Sequence, residues 1–164
     1  MSHPIQIWTS AAFHPGFRCG GWASVRVVGA AVTGAAGGER DTTAGRMALA
    51  GLAAGLRDLP SGAGAAGVAS IGIRTTNPDL ARLADTLGSL GPAALPEENR
   101  DLWSQILTAS AGRRLILTLE PLKPGAPTAF TTAWAELARD KAKAGGPFSA
   151  GIPKSNLAKV AGLA

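Results

Sequence analysis

Few side chains in this sequence are of the types that carry chemistry, and their placement limits what that chemistry could be. Cys19 is the only cysteine of 164 residues, which excludes an internal disulfide and any cysteine-rich zinc site and suits a reducing compartment. The two histidines are His3 and His14. Both lie near the amino terminus; His3 reads as a solvated end residue and His14 as a turn residue, and neither is expected to be catalytic. Sixteen Lys and Arg against eleven Asp and Glu give a formal charge of +5 and a pI near 10.1. Such a balance suits a polyanionic partner, because each phosphate neutralised releases counterions. Arg18, Arg74, Arg113, Arg114 and Lys123 could contribute to a basic face of that kind, but such a scatter is more often solvated surface.

These residues need elements to position them. Ile5, Ile7 and Thr9 alternate with Gln6 and Trp8 and predict a first strand. Turn residues fill Phe13 to Gly21; Trp22 to Val28 reads as a second strand, and about Ala30 to Gly38 as a third. From Thr42 the period changes. Leu49, Leu52 and Leu56 fall on one face of a helix that Thr42 or Thr43 can cap and that Pro60 and Gly62 end. A Gly/Ala linker over 61–67 leads to a buried strand at Val68, Ile71 and Ile73. Asn77-Pro78-Asp79 is a helix start, with Leu80, Leu83 and Leu87 on its inner face. After a loop over 88–96, Glu97 and Glu98 open a helix with Leu102, Trp103, Ile106 and Leu107 inside. Arg113 to Leu119 is the last strand. A final helix places Trp134, Leu137 and Ala138 on one side, and beyond Gly145 the tail looks basic and loosely ordered. One domain over residues 1–144 and a tail over 145–164 are therefore expected, with an α/β order that argues for a mixed sheet flanked by helices.

No run is apolar enough to span a bilayer, and Met1 to Phe17 lacks both a basic start and an unbroken apolar stretch. Neither membrane insertion nor export is indicated, and a cytoplasmic location is the default expectation.

At this point the motifs themselves resemble bacterial ribonuclease H of type one. Ile7-Trp8-Thr9-Ser10 is similar to that family's first-strand motif, in which a hydrophobic pair and a threonine precede an aspartate. Gly20-Gly21-Trp22 resembles the glycine pair and aromatic of the second strand. The run from Gly37 to Ala48 looks like the family's most diagnostic stretch, where two threonines, two asparagines, Arg, Met and a glutamate begin the first helix. Asn99-Arg100-Asp101-Leu102-Trp103 and Glu136-Leu137-Ala138-Arg139 match two further signatures. In order and spacing these matches run from Ile5 to about Lys143. The resemblance implies a ribonuclease H-like fold: a five-stranded mixed sheet, three antiparallel strands then two parallel, with helices on both faces.

It also implies a reaction, hydrolysis of the RNA strand of an RNA/DNA hybrid by two magnesium ions held between four carboxylates. Hard divalent ions require charged oxygen ligands. At the four matching positions the chain has Ser10, Ala48, Thr76 and Ala135. Glu136 is one helical step from Ala135, about 100° around the axis, and matches a family glutamate that is not a ligand. The position of the family's loop histidine is Gly125. No catalytic residue, metal ligand or cofactor is thus expected; Mg2+ is what the family would use.

Binding functions are reduced as well. The paired asparagines of hybrid recognition correspond to Ala44 and Gly45, and the family's basic protrusion to the uncharged run from Leu83 to Pro96, apart from Asp85. The threonine and asparagine of the family's phosphate pocket persist as Thr43 and Asn99, with Arg40 beside Asp41 where the family has a basic residue. Thr43 also fits a plain helix cap, and Asn99 a surface or capping residue. Trp22, Trp103 and Trp134 suit core packing better than base stacking. The expected function is that of a catalytically inactive ribonuclease H-like module binding nucleic acid or a protein; the alternative is a ribonuclease H acting on RNA/DNA hybrids through a non-standard site.

Overall fold

A computed structural model describes residues 5–57, 69–81, 97–110 and 113–160. The expected linker 61–67, the positions Leu83 and Leu87, the loop 88–96 and His3 lie outside the described residues. In chain order the elements are β1 (Ile5–His14), β2 (Cys19–Val28), β3 (Ala31–Glu39), α1 (Ala44–Leu56), β4 (Ala69–Thr75), α2 (Arg100–Ala109), β5 (Arg113–Leu119), α3 (Pro127–Gly145), β6 (Phe148–Gly151) and the short α4 (Lys154–Leu157). The sheet runs β5-β4-β1-β2-β3-β6. β1, β2, β3 and β6 pair antiparallel in turn, and β4 and β5 add to β1 in parallel.

Alternation along β1 divides its side chains between two layers. Ile5 and Ile7 pack with Leu52, Leu56, Ile71, Ile73 and Ile106 under α1 and α2. The opposite face packs Ala23, Val25 and Ala36 against Ala135 and Ala138 of α3. That second layer is built from small side chains, and close backbone approach takes the place of bulk. A Cβ on Gly21 would stand 2.2 Å from the Ala135 carbonyl oxygen and 2.3 Å from the Arg139 nitrogen, so α3 rests directly on β2.

Four expectations change. The glycine pair belongs to β2, not to the turn, because it is the floor on which α3 sits; β1 likewise continues to His14. Helix α3 buries Thr128, Thr131, Ala135, Ala138 and Ala142, whereas Leu137 is 62% exposed. Small residues are what the close contact admits, and so the larger side chain turns outward. Helix α2 begins at Arg100, preceded by Asn99 in the left-handed conformation (φ 60°, ψ 31°), and Glu97 and Glu98 stay in the turn before it. Finally, the sheet has six strands, not five. Gly37 pairs with Ser149 and Gly38 with Phe148, and Ile152 and Leu157 are buried beyond them, so the tail is ordered through residue 160. Four residues of strand are too few to reveal a period.

Candidate functional site

The carboxyl ends of the parallel strands bring two of the four candidate positions, Ser10 and Thr76, side by side. Thr9 is level with Thr75 across the β1–β4 ladder, so Ser10 and Thr76 are the next residues along. Ser10 is buried. Its Oγ lies 2.7 Å from Thr131 Oγ1 and accepts from Thr132 Oγ1 at 3.1 Å, and Thr131 Oγ1 donates to the Thr128 carbonyl at 3.1 Å. Each hydroxyl has a single proton, which fixes the direction: Thr132 donates to Ser10, Ser10 to Thr131, and Thr131 to the backbone. Ala135 follows Thr131 by one turn of α3 and is fully buried against β2. Ala48 lies in the layer on the other side of the sheet, in α1, one turn before Gly51, where a Cβ would meet Thr9 Oγ1 at 2.5 Å.

A pair of magnesium ions does not fit these residues. Two hydroxyls and two methyl groups supply no negative oxygen, and the Ser10 hydroxyl already donates to Thr131 and accepts from Thr132. Glu136 and Asp79 are exposed, one on the outer side of α3 and the other in the helical turn after β4. Among the described residues no three His, Cys, Asp or Glu side chains gather in a way that could hold a metal ion.

The second group of candidates converges on an arginine that the sequence reading did not single out. Thr43 is the N-cap of α1 (φ −130°, ψ 160°), its Oγ1 accepting from the Arg46 backbone N–H at 3.1 Å. Asn99 Oδ1 accepts from Arg46 Nη1 at 3.2 Å. Glu39 accepts from Arg46 Nε at 2.8 Å, and Asp101 takes Nη1 at 3.1 Å and Nη2 at 2.9 Å in a two-pronged pair. These bonds, led by the one from Asp101, raise the Arg46 pKa above its ordinary value; the Arg46 bond in turn holds the Asp101 carboxyl below the usual carboxylate range. Arg46 therefore ties β3, α1 and α2 together beside a cavity of about 440 Å3 that Trp22 and Phe148 also line. Its charge is spent on two carboxylates. What stays open to a ligand is the Thr43 hydroxyl proton, the first-turn amides of α1 and exposed Arg40.

The basic residues expected to share a face do not all stand free. Arg74 pairs with Glu120 (Nε to Oε2, 3.6 Å) and lies over Trp8. Arg18 sits exposed in the β1–β2 turn, next to Phe17, whose ring carries Lys143 Nζ at 3.7 Å. A contact between residues so distant in sequence leaves no local pattern. The same holds for Arg26, which donates to the Gly55 and Arg57 carbonyls and so satisfies the carboxyl end of α1. The Thr131-Thr132 pair was not singled out either, although the two hydroxyls stand about one helical turn before Ala135.

No protein-family model and no curated protein matches the sequence. Solved structures do match. The N-terminal RNase H domain of rv2228c from Mycobacterium tuberculosis, determined as a fusion with maltose binding protein, superposes with a TM-score of 0.61 at 17% identity over 87% of this chain and 97% of that one. LC11-RNase H1 in complex with RNA/DNA hybrid gives 0.61 at 16% identity, over 84% and 98%. The foamy viral protease-reverse transcriptase in complex with dsDNA gives 0.57 at 14%, over 84% and 94%. Three antiparallel strands followed by two parallel ones, with helices on both faces, and these likenesses over most of the chain together establish that it has a ribonuclease H-like fold.

Proposed function

We propose that the chain is a catalytically inactive ribonuclease H-like module that works by binding, with nucleic-acid phosphate as its first candidate partner. The observation that carries this reading is the hydroxyl chain through Ser10. Where the resemblance places a metal-binding acid, a neutral side chain exchanges hydrogen bonds with α3 and has no charge to offer a cation. Phosphate binding is supported by the joint placement of Thr43 and Asn99 on Arg46, by the exposed Arg40 nearby and by the net charge of +5. By analogy, LC11-RNase H1 was solved with an RNA/DNA hybrid.

Two measurements test it. Fluorescence anisotropy with a labelled RNA/DNA hybrid should show affinity that falls steadily as salt rises, and Thr43→Val with Arg40→Ala should weaken it and flatten the salt slope. Absence of binding even at low salt shifts the function to a protein partner. Incubation of the hybrid with Mg2+ or Mn2+ should leave it intact. Cleavage that stays with the protein through repurification and disappears in Ser10→Ala or Thr76→Ala overturns the inactive reading and installs a ribonuclease with a non-standard site.

A further inference from the structure

Beyond Trp22, the face of β2 turned toward α1 becomes polar. Ala23 and Val25 belong to the layer under α3, so alternation turns Ser24 and Arg26 to the other side, where Ala35 and Thr33 stand level with them on β3. Between these strands and the carboxyl end of α1 lies a cavity of about 180 Å3. That is below the roughly 300 Å3 at which pockets for organic ligands begin; it equals the volume of about six waters in the liquid, room for one small ion. Arg26, Arg57, Ser24 and Thr33 line it, and no described residue in its lining carries a carboxylate.

The two arginines are differently engaged. Arg26 donates to the Gly55 and Arg57 carbonyls and so answers the negative end of α1. Arg57 is the exposed C-cap, and its guanidinium makes no hydrogen bond or ion pair with a described residue. Ser24 supplies an independent sign. It is only 2% exposed and lines the cavity, yet its hydroxyl makes no hydrogen bond to a described residue, a state in which buried hydroxyls are rarely left. A Cβ added to Gly55 would stand 3.5 Å from the Ser24 Cβ, so Ser24 projects toward the helix end where Arg57 stands.

We propose that this cavity binds a phosphate group, held by the Arg57 guanidinium and by proton donation from Ser24 and Thr33, with Arg26 adding positive charge from the strand. A tetrahedral oxyanion can accept from donors on β2, β3 and α1 at once, which a planar carboxylate does less well. The site is distinct from that at Thr43. Helix α1 has 13 residues, and at 1.5 Å per residue its two ends lie about 20 Å apart.

Titration of the full, 15N-labelled chain with inorganic phosphate at constant ionic strength, followed by NMR, tests the assignment. Saturable shifts are expected at Ser24, Thr33, Ala35 and Arg57. Arg57→Gln should raise the apparent dissociation constant at least about fivefold and Ser24→Ala about threefold, with thermal melts showing that each variant is folded. A short RNA/DNA hybrid then distinguishes the sources of the phosphate. If it moves the same resonances and Arg57→Gln lowers its salt slope by about one, the group belongs to a nucleic acid; if only inorganic phosphate moves them, it is a free phosphate. Absence of saturation, or an affinity indifferent to both folded variants, overturns the site. Shifts confined to Arg40 and Thr43 also overturn it, while leaving the reading of that other end of α1 intact.

Discussion

Ser10 is held by neighbouring hydroxyls rather than by charge. An aspartate there would bring a buried charge to a place where Thr131 and Thr132 now exchange neutral hydrogen bonds, and an unpaired buried carboxylate is costly. The direction of the hydroxyl chain gives an asymmetric prediction. Thr131→Val removes the acceptor of the buried Ser10 proton and leaves it only the longer contact to Thr132 Oγ1 at 3.1 Å, which should lower stability by about 1 kcal/mol. Ser10→Ala orphans no buried donor, because Thr132 is half-buried and can turn to water while Thr131 still donates to the backbone; its cost should be clearly smaller. Urea denaturation of the two variants checks the order. Arg46 yields a second prediction. Its bond to Asp101 holds that carboxyl below its unfolded value of about 3.9, so the unfolded state binds more protons as pH falls, and the contribution is present above that value and lost on titration through the folded one. Asp101 is 57% exposed, and the effect is accordingly small. Stability of the native chain should fall more steeply below about pH 4 than that of Arg46→Gln, which has no such bond to lose; acid titration of both reads it directly.

The elements were legible in proportion to how much of their packing is local. α1 could be read because Leu49, Leu52 and Leu56 repeat at helical spacing and all are buried. In α3 the expected side holds for Ala138, which is buried, and Trp134, which packs against the same layer, and fails for Leu137, because what decides the buried face is a backbone in another element: Gly21 has no side chain, and nothing near Leu137 in sequence says so. Ser10, Thr76 and Ala135 could be named from their motifs, whereas the bonds that now occupy Ser10 depend on the docking of α3 and had to be seen. The same close approach predicts a sharp contrast between two glycines. Gly21→Ala forces a methyl group to within 2.2 Å of the Ala135 carbonyl oxygen and 2.3 Å of the Arg139 nitrogen, both backbone atoms that can move only with the helix, and should destabilise by about 3 kcal/mol or more. Gly45, in the first turn of α1, has nothing within 4 Å of an added Cβ, and Gly45→Ala should stabilise by roughly 0.5–1 kcal/mol by restricting the unfolded chain. Thermal unfolding of the pair measures both signs in one experiment.

At the scale of the whole molecule the two edges of the sheet are treated differently, and the difference has a consequence for the segment read from sequence as a loose tail. Among the described residues β5 has no strand on its outer side, whereas β3 is covered by β6, after which the Ile152 N–H donates to the Gly34 carbonyl and α4 folds back to bury Leu157. Ile152 and Leu157 belong to the same layer as Ala135 and Ala138, in which the other buried side chains are Ala23, Val25 and Ala36. Burial of two such aliphatic side chains contributes on the order of 1.5–3 kcal/mol each, a large share of the stability of a domain of this size. A chain ending at Gly146 should therefore melt well below the full one and bind a hydrophobic dye, because its removal uncovers both the β3 edge and the floor beneath Leu157. A charged substitution, Leu157→Lys, should reproduce much of the loss with the backbone intact, which separates the apolar contribution from the strand pairing. If truncation leaves the melting temperature unchanged, the carboxyl-terminal residues do not hold the layer together, and the packing of α3 must suffice without them.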